Sequence, residues 1–313
     1  MSLIEKAVQR LDQLKQAGGE TTPTANAAEI PQATPPVPPA PVAAPATVPA
    51  QEPVVEAATT ASRSIHIDLG RLAQMGMVTP DQPRSPLAEE YRVIKRPLLR
   101  NAQGLGAGVI ANGNLIMVTS ALPGEGKSFS AINLAISMAM EMDHTVLLVD
   151  ADVSRPSVLN RLGLPPQRGL MDVLSGDVAD LGDVLLRTNI EKLSLLPAGM
   201  PHQRATELLA SDAMNRMLEQ MATRYADRVI VFDSPPLLVT TEARVLATHM
   251  GQVVIVVEAA KTTHATVKQA LSTIENCPVK LMVLNKARER GAGGYYGYGY
   301  GYGYGADARS EAA

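Results

Sequence analysis

Five short apolar runs constrain this chain's fold more than any other feature: "NLIMVTS" (114–120), "TVLLVD" (145–150), "RVIVFDS" (228–234), "QVVIVVEA" (252–259) and "VKLMVLN" (279–285). Each is too short for a typical helix and too continuously apolar to keep a face in water, so each reads as a strand buried on both sides. "KLSLLPAG" (192–199) reads as a further strand. Helical stretches over 128–141, 211–224 and 262–276 lie between most of the runs. Buried strands alternating with helices imply an α/β fold, a mostly parallel sheet flanked by helices. Ahead of them, "SPLAEEYRVIKRPLLRN" reads as a helix entered at Ser85-Pro86, with Pro97 expected to kink or end it.

The flanks have another character. Residues 1–17 read as an amphipathic helix, with Leu3, Ile4, Ala7, Val8, Leu11 and Leu14 on one face and Ser2 and Glu5 at capping-box spacing. Residues 18–62 are rich in Pro, Ala and Thr and read as an extended linker. A tether of that length favours docking of the helix on a partner. The folded domain is expected over 63–287. From 288 to 313 no core-forming pattern remains, and the segment "GAGGYYGYGYGYGYG" reads as a flexible tail. It holds six of the chain's eight tyrosines: Tyr295, Tyr296, Tyr298, Tyr300, Tyr302 and Tyr304.

Composition excludes several classes. A formal charge of −3 gives no reason to expect nucleic-acid binding. A single cysteine, Cys277, rules out an internal disulfide framework and fits a reducing compartment. No apolar run reaches the roughly 18 residues of a membrane helix, and the charged N-terminus lacks a signal peptide's apolar centre. The expected location is cytoplasmic, with any membrane link supplied by a partner or a surface helix. The five histidines, His66, His144, His202, His249 and His264, show no metal-binding spacing.

The strongest local signal is "SALPGEGKS", Ser120–Ser128, placed after a strand and before a helix. Gly124 and Gly126 let the backbone approach phosphate oxygens, with Glu125 and Phe129 beside them. Lys127 is expected to reach the β- and γ-phosphates, and Ser128 to ligate Mg²⁺. The first glycine of G-x-x-x-x-G-K-[ST] is replaced by Ala121. Asp150 and Asp152 in "LLVDADVSRPS" and Asp233 in "VIVFDSPP" close other apolar strands. In a parallel sheet these ends share the loop's edge. Three carboxylates beside a polyphosphate make sense only with a divalent cation among them, and Asp152 and Asp233 are expected to hold it, directly or through its waters. Asn285 begins "NKAR" within "LNKAR", a near match to the guanine-reading N-K-x-D, but Arg288 replaces its acidic residue. That favours ATP over GTP.

On these residues the chain resembles the bacterial tyrosine autokinases of capsule and exopolysaccharide systems, most nearly their exosortase-associated branch. The resemblance covers about 85–305 and rests on "PGEGKS", "LLVDAD", "VFDSPP" and the tyrosine cluster. It implies a MinD-like P-loop NTPase fold, ATP and Mg²⁺ as cofactors, and tyrosine phosphorylation in trans within a ring, with an octamer among its sizes. Lys127, Asp150, Asp152 and Asp233 would be catalytic, with Asp150 as the base. It also implies a membrane-embedded polysaccharide chain-length regulator and a phosphotyrosine phosphatase as partners. The family's D-x-D-M-R-K-P reads "DADVSRP" here, with Arg155 at the lysine position. Its ring-assembly motif E-x-x-R-x-x-R reads Glu89, Arg92 and Lys95, and lysine loses the bidentate fork.

Two rival readings fit parts of the sequence. A MinD- or ParA-type ATPase would carry a second lysine early in the loop, which "SALPGEGKS" lacks. A non-catalytic ATP-binding scaffold with a low-complexity tail would not need intact Lys127, Asp150, Asp152 and Asp233.

Overall fold

The computed structural model describes residues 63–106, 108–224 and 228–287. The helix read over 1–17, the linker over 18–62 and the tail over 288–313 lie outside the described residues. Within them, one sheet contains eight strands: β1 (Arg63–Ser64), β2 (Leu115–Ser120), β3 (Thr145–Asp150), β4 (Leu186–Arg187), β5 (Leu193–Leu196), β6 (Arg228–Asp233), β7 (Gln252–Glu258) and β8 (Val279–Asn285). Their spatial order is β1-β4-β5-β3-β6-β2-β7-β8. All neighbours run parallel except β4 and β5. The five apolar runs form β2, β3, β6, β7 and β8, and "KLSLLPAG" supplies β5.

The helices are α1 (Leu69–Gln74), α2 (Pro86–Ala102), α3 (Lys127–Ala139), α4 (Val158–Leu162), α5 (Leu170–Leu174), α6 (Ala205–Leu209), α7 (Asp212–Arg224), α8 (Thr241–Ala247) and α9 (His264–Ser272). Alternating strand residues feed two cores. Met117, Leu147, Val149, Phe232 and Ile255 pack with residues of α7 and α8 on one face. Ile116, Val118, Leu148, Val231 and Val256 pack with α2 and α3 on the other. Helix α3 is buried almost throughout because it lies between the sheet and α2.

Helix α2 starts as its sequence requires. Ser85 Oγ accepts a hydrogen bond from Ala88 N at 3.2 Å, and Pro86 sits where no intrahelical donor is needed. It does not end at Pro97 but continues to Ala102. Pro97 and Val93, whose carbonyl loses its partner, are both exposed, so water can take the freed acceptor. The run 279–285 is a strand as expected but is not buried on both sides: β8 closes one edge of the sheet and leaves Lys280, Met282 and Leu284 exposed, because no helix among the described residues covers that face. The methionine-rich residues 138–142 straddle the end of α3: Met138 is buried, the helix ends at Ala139, and Met142 lies in solvent. Among the described residues no helix is long and apolar enough to cross a membrane.

The chain leaves β2 for β3 on one side, and β7 later lies on the other side of β2. The β2 and β6 ends therefore sit where the connections diverge, the position at which open parallel sheets form a ligand crevice.

Candidate active site

The crevice begins with the loop between β2 and α3. Gly124 and Gly126 have φ of 87° and 102°, a region that L side chains rarely adopt. A Cβ on Gly126 would also lie 2.0 Å from Asn285 Nδ2. This close approach has a purpose: Asn285 Nδ2 donates to Glu125 O at 2.8 Å, tying the last strand to the loop. Lys286 Nζ donates to Gly124 O at 2.7 Å.

Glu125 does not face the crevice. Its carboxylate is buried and accepts from Leu122 N at 2.6 Å and from Thr262 Oγ1. The expectation of nucleotide contact at Glu125 therefore narrows to its backbone, while the side chain braces the loop. Thr262, which sequence reasoning did not single out, is the other half of that brace.

A cavity of about 800 Å³ opens at this edge. Gly124, Gly126, Lys127, Ser128 and Phe129 line one side, and Asp152, Arg155 and Arg161 line another. Pro235 and Pro236 form part of the wall, and their loop is pinned to β2. Thr119 Oγ1 donates to Pro235 O at 2.8 Å, and Leu237 N donates to Ser120 O at 2.9 Å. Asn285 and Lys286 complete the rim.

The acidic residues fall on adjoining strands. Asp150 and Asp233 are register partners across β3 and β6. Lys127 Nζ donates to Asp152 Oδ2 at 2.6 Å and lies 3.6 Å from Asp233 Oδ1 and 3.3 Å from Ser128 Oγ. Asp150 and Asp233 do not line the cavity and lie beneath it. Asp150 Oδ2 accepts from Ser157 N and Val158 N, both at 3.0 Å, while its Oδ1 has no hydrogen-bond partner among the described residues. Both Asp233 oxygens are buried without a hydrogen-bond partner among the described residues.

Burial pushes the Asp150 carboxyl up to about 7, with the neighbouring Asp233 charge adding to the rise. Burial also pushes Asp233 up to about 6, against the pull of the Lys127 ammonium. Orphaned carboxylate oxygens beside a helix-start hydroxyl are hard donors, the type that suits magnesium. Among the described residues no group of three or more His, Cys, Asp or Glu is placed to hold a metal by itself. The fit is to an ion held by one or two carboxylates together with phosphate oxygens and water, as magnesium usually is.

The three residues read as an assembly motif part company. Glu89 and Arg92 pair on the surface of α2, and Arg92 Nη2 also donates to Pro83 O at 3.0 Å. Lys95 is buried, bonded to Ser137 O and 2.7 Å from Glu141 Oε1. Its side chain joins α2 to the end of α3 and takes no part in the exposed pair.

A strand, a glycine-rich loop with Lys-Ser at the following helix start, and acidic strand ends around one crevice define a P-loop nucleotide-binding protein. The AAA domain family matches residues 113–286, more than half of the chain, and the chain belongs to it. Within that class it belongs to the bacterial tyrosine-protein kinases. It is 30% identical over 232 residues to tyrosine-protein kinase YwqD of Bacillus subtilis, covering 73% of this chain and 94% of that one. It is 32% identical over 227 residues to the succinoglycan biosynthesis transport protein ExoP of Rhizobium meliloti, covering 71% of this chain but only 28% of that longer protein. The kinase domain of Escherichia coli tyrosine kinase ETK superposes with a TM-score of 0.60 at 25% identity, covering 76% of this chain and 94% of that structure.

Proposed function

We propose that this kinase transfers the terminal phosphate of ATP to its own C-terminal tyrosines, Tyr295, Tyr296, Tyr298, Tyr300, Tyr302 and Tyr304. One observation carries the reading: the last strand ends in the wall of the nucleotide cavity. Asn285 and Lys286 line the cavity and hold the phosphate loop, and the described chain stops at residue 287. Tyr295 follows eight residues later. Residues 288–304 can span at most about 60 Å, enough for the same site or that of a neighbouring copy. By contrast Tyr91 is buried in the domain, its phenol pushed up to about 12 by desolvation, so it is no acceptor.

The chemistry asked of the protein is placement and charge neutralisation. The backbone of Gly124–Ser128 would cradle the phosphates and Lys127 would reach the terminal ones. Ser128, Asp152 and Asp233 would hold magnesium, which when bound screens charge on the phosphates. Asp150 is the proposed base. A carboxyl near 7 is matched to taking a phenolic proton at neutral pH. Its burial means that the proton reaches it through an intervening group.

The relatives support a biological setting for this reading. The ExoP name points to exopolysaccharide synthesis and export as the process controlled. A membrane-embedded chain-length regulator would recruit the kinase to the inner membrane, transfer would occur in trans within a ring, and a phosphatase would reset it. Six phosphotyrosines would add roughly −9 to −12 charges to a chain of formal charge −3. Mutual repulsion of the tails would then loosen the ring.

Mass-spectrometric mapping of the C-terminal peptide, from protein made in cells with its activator, tests the assignment. Phosphate on that cluster in wild type and none in Lys127→Met is the expected result. An unmodified cluster in an active preparation overturns it.

A further inference from the structure

Lys127 is not the only cation facing the cavity. Arg161 lines it from the β3 side, two strands away from the phosphate loop. Its backbone is firmly placed. Arg161 N donates to Ser157 O at 3.0 Å, Val158 and Leu162 on either side are buried in the core, and Gly163 ends the helix at φ 75°. Helix α4 thus fixes two things together: its first turn holds Asp150, and its last turn carries Arg161 into the cavity.

Lys127 and Arg161 differ in how they are engaged. Lys127 is occupied by Asp152 and Asp233. Arg161 Nε is buried, yet it has no hydrogen-bond partner among the described residues. A guanidinium donor withdrawn from water without an acceptor is costly, and it becomes favourable when an anion arrives. The Arg161 charge also acts on Asp233, drawing its carboxyl down, which places it in the field of the same acidic floor. A nucleoside triphosphate remains anionic even with one divalent cation bound, so a cation on the far wall has a group to meet.

We propose that Arg161 is a second phosphate-binding cation, which contacts the terminal phosphate of a bound nucleoside triphosphate from the side opposite the phosphate loop. The inference rests on the nucleotide reading of this cavity. Charge developing on the transferring group would then be neutralised from two directions, by Lys127 and by Arg161.

The test compares affinities of the full chain for fluorescent ATP and ADP analogues with magnesium, for wild type, Arg161→Gln and Arg161→Lys. Arg161→Gln should weaken the ATP analogue by at least about tenfold and leave the ADP analogue unchanged. Arg161→Lys should recover part of the loss, because charge returns without the fork. Equal weakening of both analogues would show a structural role and overturn the proposal, as would unchanged binding of both. Failure of the wild type to bind either analogue would overturn the nucleotide reading itself, and this inference with it.

Discussion

Asp150 and Asp233 stand opposite each other on neighbouring strands, two carboxylates at one edge of a buried sheet. Their carboxyls rise to about 7 and about 6, mainly through burial, with the Asp233 charge adding to the rise at Asp150 and the Asp152 charge to that at Asp233. Both values lie above those of an unfolded chain, so the folded state binds more protons across the interval between. Stability should therefore fall as pH rises from about 4 to about 7 and level off above it. Urea unfolding at a series of pH values measures this. We expect a loss on the order of 2–4 kcal/mol from pH 5 to pH 8, most of it absent in Asp150→Asn. Glu141, lowered chiefly by its hydrogen bond from Lys95, contributes only at more acidic pH. A stability profile that rises through this window would contradict the assignment.

Gly126 and Asn285 make a second prediction. Gly126→Ala meets two obstacles: a φ of 102°, and an amide nitrogen 2.0 Å from where the new Cβ would stand. Asn285→Ala removes only the second. Gly126→Ala alone should destabilise the domain by about 1–3 kcal/mol and abolish nucleotide binding. In the Asn285→Ala background its cost should shrink without vanishing, because the backbone strain stays. A double-mutant cycle by thermal unfolding reads the coupling, and strictly additive effects would show that the two residues do not meet.

The sequence made the strands and the loop legible for a physical reason. A strand covered on both faces must be apolar throughout, and a phosphate loop needs glycine where φ is positive, so β2, β3, β6 and β7 and Gly124 and Gly126 are legible for that reason, whereas β8 is apolar enough to read the same way although one of its faces is exposed. Two-residue strands such as Arg63–Ser64 and Leu186–Arg187 have no period to detect, and the antiparallel β4–β5 pair went unread with them. Side-chain direction was also hidden. Glu125 turns in to brace the loop and Lys95 turns in to join two helices, although both read as surface or ligand positions. Arg161 belongs to no motif, and only the placement of α4 brings it to the cavity.

Glu125 then predicts a loop whose order depends on one buried carboxylate. Glu125→Ala leaves Leu122 N and Thr262 Oγ1 without their acceptor, at a cost of about 1–3 kcal/mol. Glu125→Gln keeps one oxygen and should recover about half. Nucleotide affinity should follow loop order, falling further in Glu125→Ala than in Glu125→Gln. Isothermal titration with magnesium-ATP alongside urea unfolding checks both. Full affinity in Glu125→Ala would show that the brace is dispensable.

The last prediction separates assembly from folding on α2. Glu89 and Arg92 form a surface pair, a kind of contact worth about 0–1 kcal/mol, so replacing either with Ala should hardly change unfolding. Lys95 is buried and reaches Ser137 O and Glu141. Lys95→Met removes a charge-assisted tie between α2 and α3 and strands a carbonyl, at about 1–3 kcal/mol. If a ring forms through this helix, Glu89→Ala and Arg92→Ala should lower the oligomer mass while keeping the unfolding midpoint. Lys95→Met should lower the midpoint first and affect mass only as a consequence. Light scattering together with thermal unfolding gives both readouts. Loss of the oligomer in Lys95→Met with an unchanged midpoint would mean that Lys95 leaves its internal partners to meet a neighbouring copy.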